Sequence, residues 1–204
     1  MDQLLWDSIF TKTPNKPNLI LETGIMYVGQ PDNIAKRSEE ELRNILERKY
    51  AYAYSGAGTG AVHWLWNTNY FMNNINESNI GAFRADGTEN PETNVSYDFG
   101  EFMNEVGHIF ENRELEDIAV IFPYSNDFSN RRLACSATSK LTSVMAYELN
   151  MPFRALSEYH LESLKQDRSK LIIVPSAHNF HIDAFNELLR IVEEKGSVLL
   201  FTGH

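Results

Sequence analysis

The pattern of apolar and polar positions along the chain predicts six short strands separated by helices. Apolar runs bounded by proline, glycine or polar residues are typical of parallel strands that are buried on both faces. Apolar residues at intervals of three and four indicate the helices between them. The predicted strands cover residues 18–22, 61–66, 118–122, 152–156, 171–174 and 197–201, and the predicted helices cover residues 38–55, 98–112, 132–149, 158–164 and 182–195.

Two of the predicted helices have clear end signals. Ser38 and Glu41 are three residues apart, which is the spacing of a capping box, in which each side chain accepts a hydrogen bond from the backbone N–H of the other residue. Gly56 and Gly196 follow the last apolar residues of their helices, and glycine tolerates the left-handed conformation that ends many helices. These signals fix the helices that follow the first and the fifth predicted strands.

The order of the elements divides the chain into two predicted α/β domains, residues 1–113 and residues 114–204. The first contains a strand–helix–strand unit, which barrels and open parallel sheets share. In the second, four strands alternate with helices, which predicts a parallel, doubly wound sheet with right-handed crossovers. The polar connection at residues 67–94 is long for a compact domain, and such loops are commonly functional.

Composition and charge narrow the classes of partner. The chain carries 28 acidic and 18 basic side chains, which gives a formal net charge of −10, and the basic residues are scattered. Because nucleic-acid binding depends on clustered lysine and arginine, no nucleic-acid partner is expected. No apolar run approaches the roughly 20 residues of a membrane-spanning helix, so no membrane partner is expected either. A single cysteine, Cys135, excludes an internal disulfide and a thiolate metal cluster.

Two polar segments of the second domain resemble reactive sites but have simpler explanations. His178, His181 and Asp183 imitate a metal cluster, yet they open a predicted helix, where aspartate is a routine N-terminal residue. Ser176 and His178 lack the Gly-x-Ser-x-Gly turn of a hydrolase elbow. The loop after the third strand is not rich in glycine, serine or threonine, as a flavin or nucleotide site would favour. The sequence therefore predicts no metal and no cofactor.

The strongest candidate for chemistry is Glu22, at the carboxyl end of the first strand. A carboxylate at this end of a barrel strand faces the mouth of the active site. Retaining glycosidases need a nucleophilic carboxylate and a second carboxyl group about 5–5.5 Å away. Taken alone, a glutamate after an apolar strand is also compatible with a solvated loop carboxylate or a helix cap.

Two tryptophans on the second strand are candidates for sugar binding. Trp64 and Trp66 are two residues apart and therefore share one face of the strand. Trp66 is nearer the carboxyl end and is the better candidate to stack on a sugar ring, whereas Trp64 is equally compatible with packing. Asn67 offers an amide to sugar hydroxyls, and His63, on the opposite face, favours a structural role.

The order and spacing of four segments resemble the last part of the (β/α)8 barrel of clan A glycoside hydrolases. Residues 16–24, with Lys-Pro, an apolar strand and Glu-Thr-Gly, resemble the motif of the seventh barrel strand. Residues 37–54 look like the seventh helix, residues 60–67 like the eighth strand, and residues 83–92 like the segment before the last helix. Cellulases, mannanases and the β-galactosidases of glycoside hydrolase family 42 are the nearest kinds. The resemblance implies that Glu22 is the catalytic nucleophile and that Trp66, with Trp64 and Asn67, binds the substrate.

The second domain resembles the flavodoxin-like, glutamine-amidotransferase-like domain that follows the barrel in family 42 β-galactosidases. Amidotransferases place a catalytic cysteine in a strand-to-helix turn, but the corresponding residues 174–178 contain no cysteine. The resemblance therefore implies a non-catalytic, parallel three-layer α/β sandwich. By the same analogy it implies a possible homo-oligomer, a trimer.

Together these features predict part of a retaining O-glycosidase that cleaves β-linked glycans or galactosides. Its acid/base glutamate is expected on the fourth barrel strand in an Asn-Glu-Pro context, which this sequence lacks, so the chain alone is expected to be inactive. Because the first and last elements begin and end abruptly, both ends are expected to be cut from a longer protein. Two alternatives remain open: a non-catalytic flavodoxin-like oligomerisation or ligand-binding module, and an independent small-molecule-binding α/β protein similar to a periplasmic sensor domain. The sugar, the linkage and the cellular compartment are not decided by the sequence.

Overall fold

The computed structural model describes residues 19–28, 36–57, 60–111, 114–166 and 169–203. The described residues fall into two compact units, which meet in the sequence between residues 113 and 114. We call residues 19–111 the N-terminal unit and residues 114–203 the C-terminal unit. Both units are mixed α/β, and all of their paired strands run parallel, as the sequence predicts.

The N-terminal unit is built around a parallel pair of strands. Its elements are β1 (Ile20–Thr23), α1 (Glu39–Ala57), β2 (Ala61–His63) and α2 (Thr93–Val106), and a short 3-10 helix (Gly107–Phe110) follows α2. In the strand pair, Ile20 lies opposite Ala61 and Thr23 lies opposite His63. The predicted strand–helix–strand unit is confirmed.

The start of α1 has the capping box that the sequence predicts. The backbone N–H of Ser38 donates to the Glu41 carboxylate at 2.8 Å, and the backbone N–H of Glu41 donates to the Ser38 hydroxyl at 3.2 Å. The apolar face of α1 then buries Leu42, Leu46 and Tyr50 in the core of the unit. The helix is therefore fixed by its first turn and by one buried face.

Three boundaries in the N-terminal unit differ from the prediction. α1 runs to Ala57, so Gly56 lies within the helix and does not follow its end. β2 ends at His63 and not at residue 66, because the chain beyond it pairs with a later loop: the backbone N–H of Ala82 donates to the carbonyl of Leu65 at 2.9 Å. α2 begins at Thr93, five residues before the predicted start. The Thr93 hydroxyl donates to the Ala82 carbonyl at 2.9 Å and Val95 is buried, so loop contacts extend the helix.

The C-terminal unit is a four-stranded parallel sheet with helices between its strands. Its elements are β3 (Ile118–Phe122), α3 (Tyr124–Ser143) with a π-helical end (Val144–Glu148), β4 (Arg154–Ser157), α4 (Glu162–Gln166), β5 (Leu171–Val174), α5 (Ile182–Lys195) and β6 (Val198–Phe201). The strands are arranged in the order β4-β3-β5-β6. All four predicted strands of this unit are present.

In the C-terminal unit the boundaries of α5 agree with the prediction, whereas the start of α3 differs from it. α5 packs Leu188 and Ile191 on the sheet and ends at Gly196, whose φ of 68° is left-handed, as predicted. α3 begins at Tyr124, directly after Pro123, and not at residue 132. Pro123 is the N-cap residue of this helix, and the non-helical backbone of Asn130 lies within α3, where it separates the early turns from the predicted part. None of the described helices is long and apolar enough to cross a membrane.

Candidate functional site

The candidate site lies at the carboxyl ends of β1 and β2. Glu22 is the third of four residues in β1, and its side chain lies outside the described part of the chain, as do Lys16 and Pro17 of the predicted motif. The parallel pairing of Thr23 with His63 brings the two strand ends to the same edge of the sheet. The backbone at Glu22 therefore lies in the strand next to the one that leads into the two tryptophans.

The turn after Glu22 is packed directly against β2. A Cβ added at Gly24 would lie 2.7 Å from the backbone oxygen of Trp64, so only glycine fits here without displacement. The Lys49 ammonium, on α1, donates to the Gly24 carbonyl. Burial, with the nearby charge of Arg37, lowers the pKa of Lys49 below its usual range. Helix α1 and the end of β2 thus hold this turn from two sides.

The two faces of the β2 segment have opposite environments. Ala61 and Leu65 point towards the helices and pack in the core of the unit. Val62 and Trp64 are each 45% exposed and Trp66 is 71% exposed, although all three are large and apolar. From the strand into the following loop, the large apolar side chains of Val62, Trp64 and Trp66 are thus open to solvent.

The predicted substrate-binding residues are held by the loop that follows β2. The Trp64 indole N–H donates to the Glu77 carboxylate at 3.2 Å. The Trp66 ring packs against Phe83, with 4.7 Å between ring centroids and a tilt of 48°. Asn67 forms a parallel bridge with Phe83, whose backbone N–H donates to the Trp66 carbonyl at 2.9 Å. The structure therefore brings Trp66 and Asn67 together on one side of Phe83.

His63 belongs to a polar cluster on the opposite face of β2. Its Nδ1 lies 3.2 Å from the Tyr50 hydroxyl, which in turn lies 2.8 Å from the Ser96 hydroxyl. Burial, with the charge of nearby Lys49, lowers the pKa of His63. This side chain links β2 to α1 and α2, as expected for a structural histidine.

A cavity of about 450 Å³ opens beside Trp66. The described residues that line it are Trp66, Asn67, Thr68, Asn69, Tyr70, Phe71, Phe83, Arg84, Ala85 and Gly87. Sequence reasoning missed the aromatic residues of the loop. The signal for them was the pair Tyr70-Phe71 within an Asn-rich, otherwise polar connection. Exposed rings beside amide and hydroxyl groups are chemically suited to a ligand with one apolar face and several hydroxyls.

The polar segments of the C-terminal unit are committed to internal contacts. The Glu158 carboxylate accepts hydrogen bonds from the backbone N–H groups of Ser125 and His181, the latter at 2.9 Å. These N–H groups belong to the starts of α3 and α5, where an anion is stabilised by the helix ends. Ser176 has a φ of 50°, and its carbonyl accepts a hydrogen bond from the Asn126 amide at 2.8 Å. A side chain of the protein itself thus occupies the anion position at this sheet edge.

Comparison with known proteins finds a structural relation without a sequence relation. No protein-family model and no curated protein matches the chain. Gan42B, a GH42 β-galactosidase from G. stearothermophilus, superposes with a TM-score of 0.69 at 13% identity, over 98% of this chain and 29% of that one. A β-galactosidase from the Antarctic haloarchaeon Halorubrum lacusprofundi gives a TM-score of 0.64, with the same identity and coverage.

A second group of similar structures consists of GH5_18 enzymes. A GH5_18 enzyme from Bifidobacterium longum subsp. longum, solved in complex with Manβ1-4GlcNAc, gives a TM-score of 0.54 at 16% identity, over 88% of this chain and 44% of that one. The chain spans about 29% of the length of the two β-galactosidases. At this identity the likeness concerns the fold, which is related to that of glycoside hydrolases built on a barrel.

Proposed function

We propose that this chain is part of a retaining O-glycosidase that acts on β-linked glycans or galactosides. The observation that carries the proposal is the pairing of two parallel strand ends, one containing Glu22 and the other leading into the exposed Trp64 and Trp66. In barrel enzymes the active site lies at this end of the strands. The fold relation to β-galactosidases and to GH5_18 glycosidases supports the same class of reaction.

In this proposal Glu22 is the nucleophile. Its carboxylate attacks the anomeric carbon, and the bond to the leaving oxygen breaks while an acid/base carboxyl group donates a proton to that oxygen. The same group then removes a proton from water, which cleaves the glycosyl-enzyme and restores the original anomeric configuration. Trp66 and Trp64 support the sugar ring, and Asn67 binds a hydroxyl group.

The acid/base carboxyl group belongs to another strand of the barrel in this proposal. The Asn-Glu-Pro context in which it is expected does not occur in the sequence. The seventh and eighth strands of a barrel carry the nucleophile and the sugar platform, and a complete barrel takes about 250 residues. The chain by itself is therefore expected to bind sugar without hydrolysing it.

The test is made on the enzyme that contains this chain together with the rest of its barrel. Glu22→Gln is expected to lower kcat by about 10³-fold or more, because the nucleophile is lost. Glu22→Ala supplied with azide is expected to recover turnover and to release a glycosyl azide of inverted configuration. Hydrolysis of nitrophenyl β-galactoside and β-mannoside measures both effects.

A matched control separates chemistry from folding. Glu101→Gln removes an exposed carboxylate on α2 of the same unit and is expected to leave kcat unchanged. Near-normal kcat in Glu22→Gln, or a Glu22→Ala variant that azide does not rescue, would contradict the assignment of Glu22 as nucleophile.

For the C-terminal unit the proposal is a flavodoxin-like, non-catalytic module that takes part in a homo-oligomer. Its strand order, β4-β3-β5-β6, corresponds to the 2-1-3-4 part of a flavodoxin-like sheet. The Glu158 carboxylate accepts hydrogen bonds at the helix ends where such sheets bind phosphate groups, which disfavours nucleotide binding there. Sedimentation equilibrium of the whole enzyme is expected to give a trimer, and a monomer would contradict this role.

A further inference from the structure

We propose that the loop after β2 forms a second sugar subsite of its own, for a neutral pyranose ring next to the one held at the strand ends. The subsite is the cavity lined by Trp66, Tyr70, Phe71, Phe83 and Arg84. Its place in a cleft rests on the proposed glycosidase function, but the binding itself does not require catalysis. The described residues that line it come from one continuous segment, residues 66–87, so the chain carries the subsite with it.

Two large aromatic rings of the loop are exposed to solvent next to each other. Tyr70 is 68% exposed and Phe71 is 95% exposed, and both line the same cavity as Trp66. Single exposed apolar residues are ordinary on a protein surface, whereas a cluster of large ones marks a binding surface. The two rings meet edge to face at 5.7 Å, with an interplanar angle of 85°, so they present differently oriented walls.

The backbone of the loop that carries the rings is held by close contacts and hydrogen bonds. A Cβ added at Gly81 would lie 2.7 Å from the backbone nitrogen of Thr68, so the two sides of the loop are in direct contact. The Asn90 amide donates to the Gly81 carbonyl at 2.6 Å, and the Asn74 amide oxygen accepts from the backbone N–H of Asn76 at 2.9 Å. A pre-organised surface loses less entropy when a ligand binds.

The side chains that line the cavity indicate the class of ligand. Asn67, Asn69 and Thr68 supply neutral donors and acceptors, and no described lining residue is acidic. The one charged side chain, Arg84, donates to the Glu89 carbonyl at 2.6 Å and to the Thr88 hydroxyl at 3.2 Å. A ligand with C–H faces for the rings and hydroxyls for the amides, without a charge, fits this combination. The volume of about 450 Å³ is within the range of small-molecule pockets.

The subsite predicts that longer substrates bind better than single sugars. A disaccharide reaches both the strand-end site and the loop, whereas a methyl β-glycoside fills only one of them. Isothermal titration of this chain with methyl β-galactoside, methyl β-mannoside, lactose, cellobiose and β-1,4-mannobiose is expected to give saturable binding for at least one disaccharide. The monosaccharide glycosides are expected to bind at least about tenfold more weakly, since one set of ring contacts is lost.

Single-ring variants test which surface is responsible. Phe71→Ala and Tyr70→Ala are each expected to weaken disaccharide binding about three- to tenfold and to leave the binding of the monosaccharide unchanged. Both side chains are largely exposed, so their loss does not disturb the core. Phe128→Ala is the matched control, because this phenylalanine is 79% exposed and lies on α3 of the other unit.

Three outcomes would overturn the subsite. They are the absence of saturable binding for all three disaccharides, equal affinities in Phe71→Ala and the parent chain, and a change of sedimentation coefficient in Phe71→Ala that identifies the rings as a protein contact. The two proposals fail separately. If Glu22→Gln is active and Phe71→Ala binds the disaccharide more weakly, only the assignment of Glu22 as nucleophile is contradicted. If Glu22→Gln is inactive and Phe71→Ala binds the disaccharide like the parent chain, only the subsite is contradicted.

Discussion

At the scale of the residue, the titration of His63 makes the stability of the fold depend on pH. It lies among Tyr50, Ser96 and the cationic Lys49, and burial is the main reason that its pKa is lowered. The neutral imidazole is therefore favoured in the folded state, while in the unfolded chain the pKa of this histidine is about 6.5. Above that pH the favourable contribution to stability is fully present. As pH falls through the unfolded value, the unfolded state takes up the proton first and stability is lost.

We therefore predict that the free energy of unfolding falls between pH 7.5 and pH 5.5, in part because of His63. Urea unfolding at a series of pH values measures this dependence. His63→Gln is expected to flatten the pH dependence in that range, since the titrating group is gone. His108→Gln, which removes an exposed histidine from the 3-10 helix, is the control and is expected to keep the parent slope. Identical slopes in the parent and His63→Gln would refute the assignment.

At the scale of elements, the turn between β1 and α1 depends on one missing side chain. Gly24 lies so close to the backbone oxygen of Trp64 that a methyl group has no room. Because the obstacle is backbone, relief requires the strand ends to separate. Gly24→Ala is predicted to lower the free energy of unfolding by about 1–3 kcal/mol, the usual cost of overpacking.

Gly100 is the matched control for this substitution. It lies at an exposed position of α2, and no atom beyond the local helix backbone lies within 4 Å of a Cβ added there. Gly100→Ala is predicted to raise the free energy of unfolding by about 0.5–1 kcal/mol, since alanine is the better helix former. Both variants are compared by urea unfolding, and equal effects of the two substitutions would contradict the close contact at Gly24.

The elements that the sequence predicts best are those whose signals are local. Ser38 and Glu41 satisfy each other within one turn of α1, so their spacing was sufficient to predict the cap. The predicted start of α3 is wrong because a polar segment after a proline resembles a loop. The helical state of this segment depends on tertiary contacts such as the hydrogen bond of Ser125 to Glu158. Local pattern cannot contain a partner 33 residues away.

The residues of the candidate site also differ in how far a local pattern predicts their arrangement. The two-residue period of a strand predicts a shared face for Trp64 and Trp66. Both rings are exposed, but β2 ends at His63, so the strand period does not reach them. The contribution of Tyr70, Phe71 and Phe83 depends on how residues 67–90 fold back on β2, which no periodicity encodes. The bridge between Asn67 and Phe83 closes that loop through backbone groups, which every residue carries.

At the scale of the molecule, each unit leaves one strand face uncovered. In the N-terminal unit this is the face of Val62 and Trp64, which are each 45% exposed. In the C-terminal unit Leu199 packs on the core, whereas Val198 and Leu200 on the opposite face of β6 are 63% and 46% exposed. Parallel strands are normally covered on both faces. The exposed face of β6 is therefore a candidate contact surface.

We predict that this chain associates with itself through the exposed face of β6. The weight-average sedimentation coefficient of the parent chain is expected to rise with concentration, whereas a Val198→Lys, Leu200→Lys double variant is expected to sediment as a monomer. The two lysines reduce the net charge of −10, which weakens general repulsion, so any loss of association must come from the apolar surface.

An Ile182→Lys, Leu189→Lys variant makes the same change of charge at exposed apolar positions of α5 and is expected to associate like the parent. A parent chain that is monomeric at every concentration, or an α5 variant that dissociates equally well, would show that β6 is not the contact. Since lysine at two exposed strand positions costs little in folding, about 0.5 kcal/mol or less at each, a change in sedimentation would report association and not unfolding.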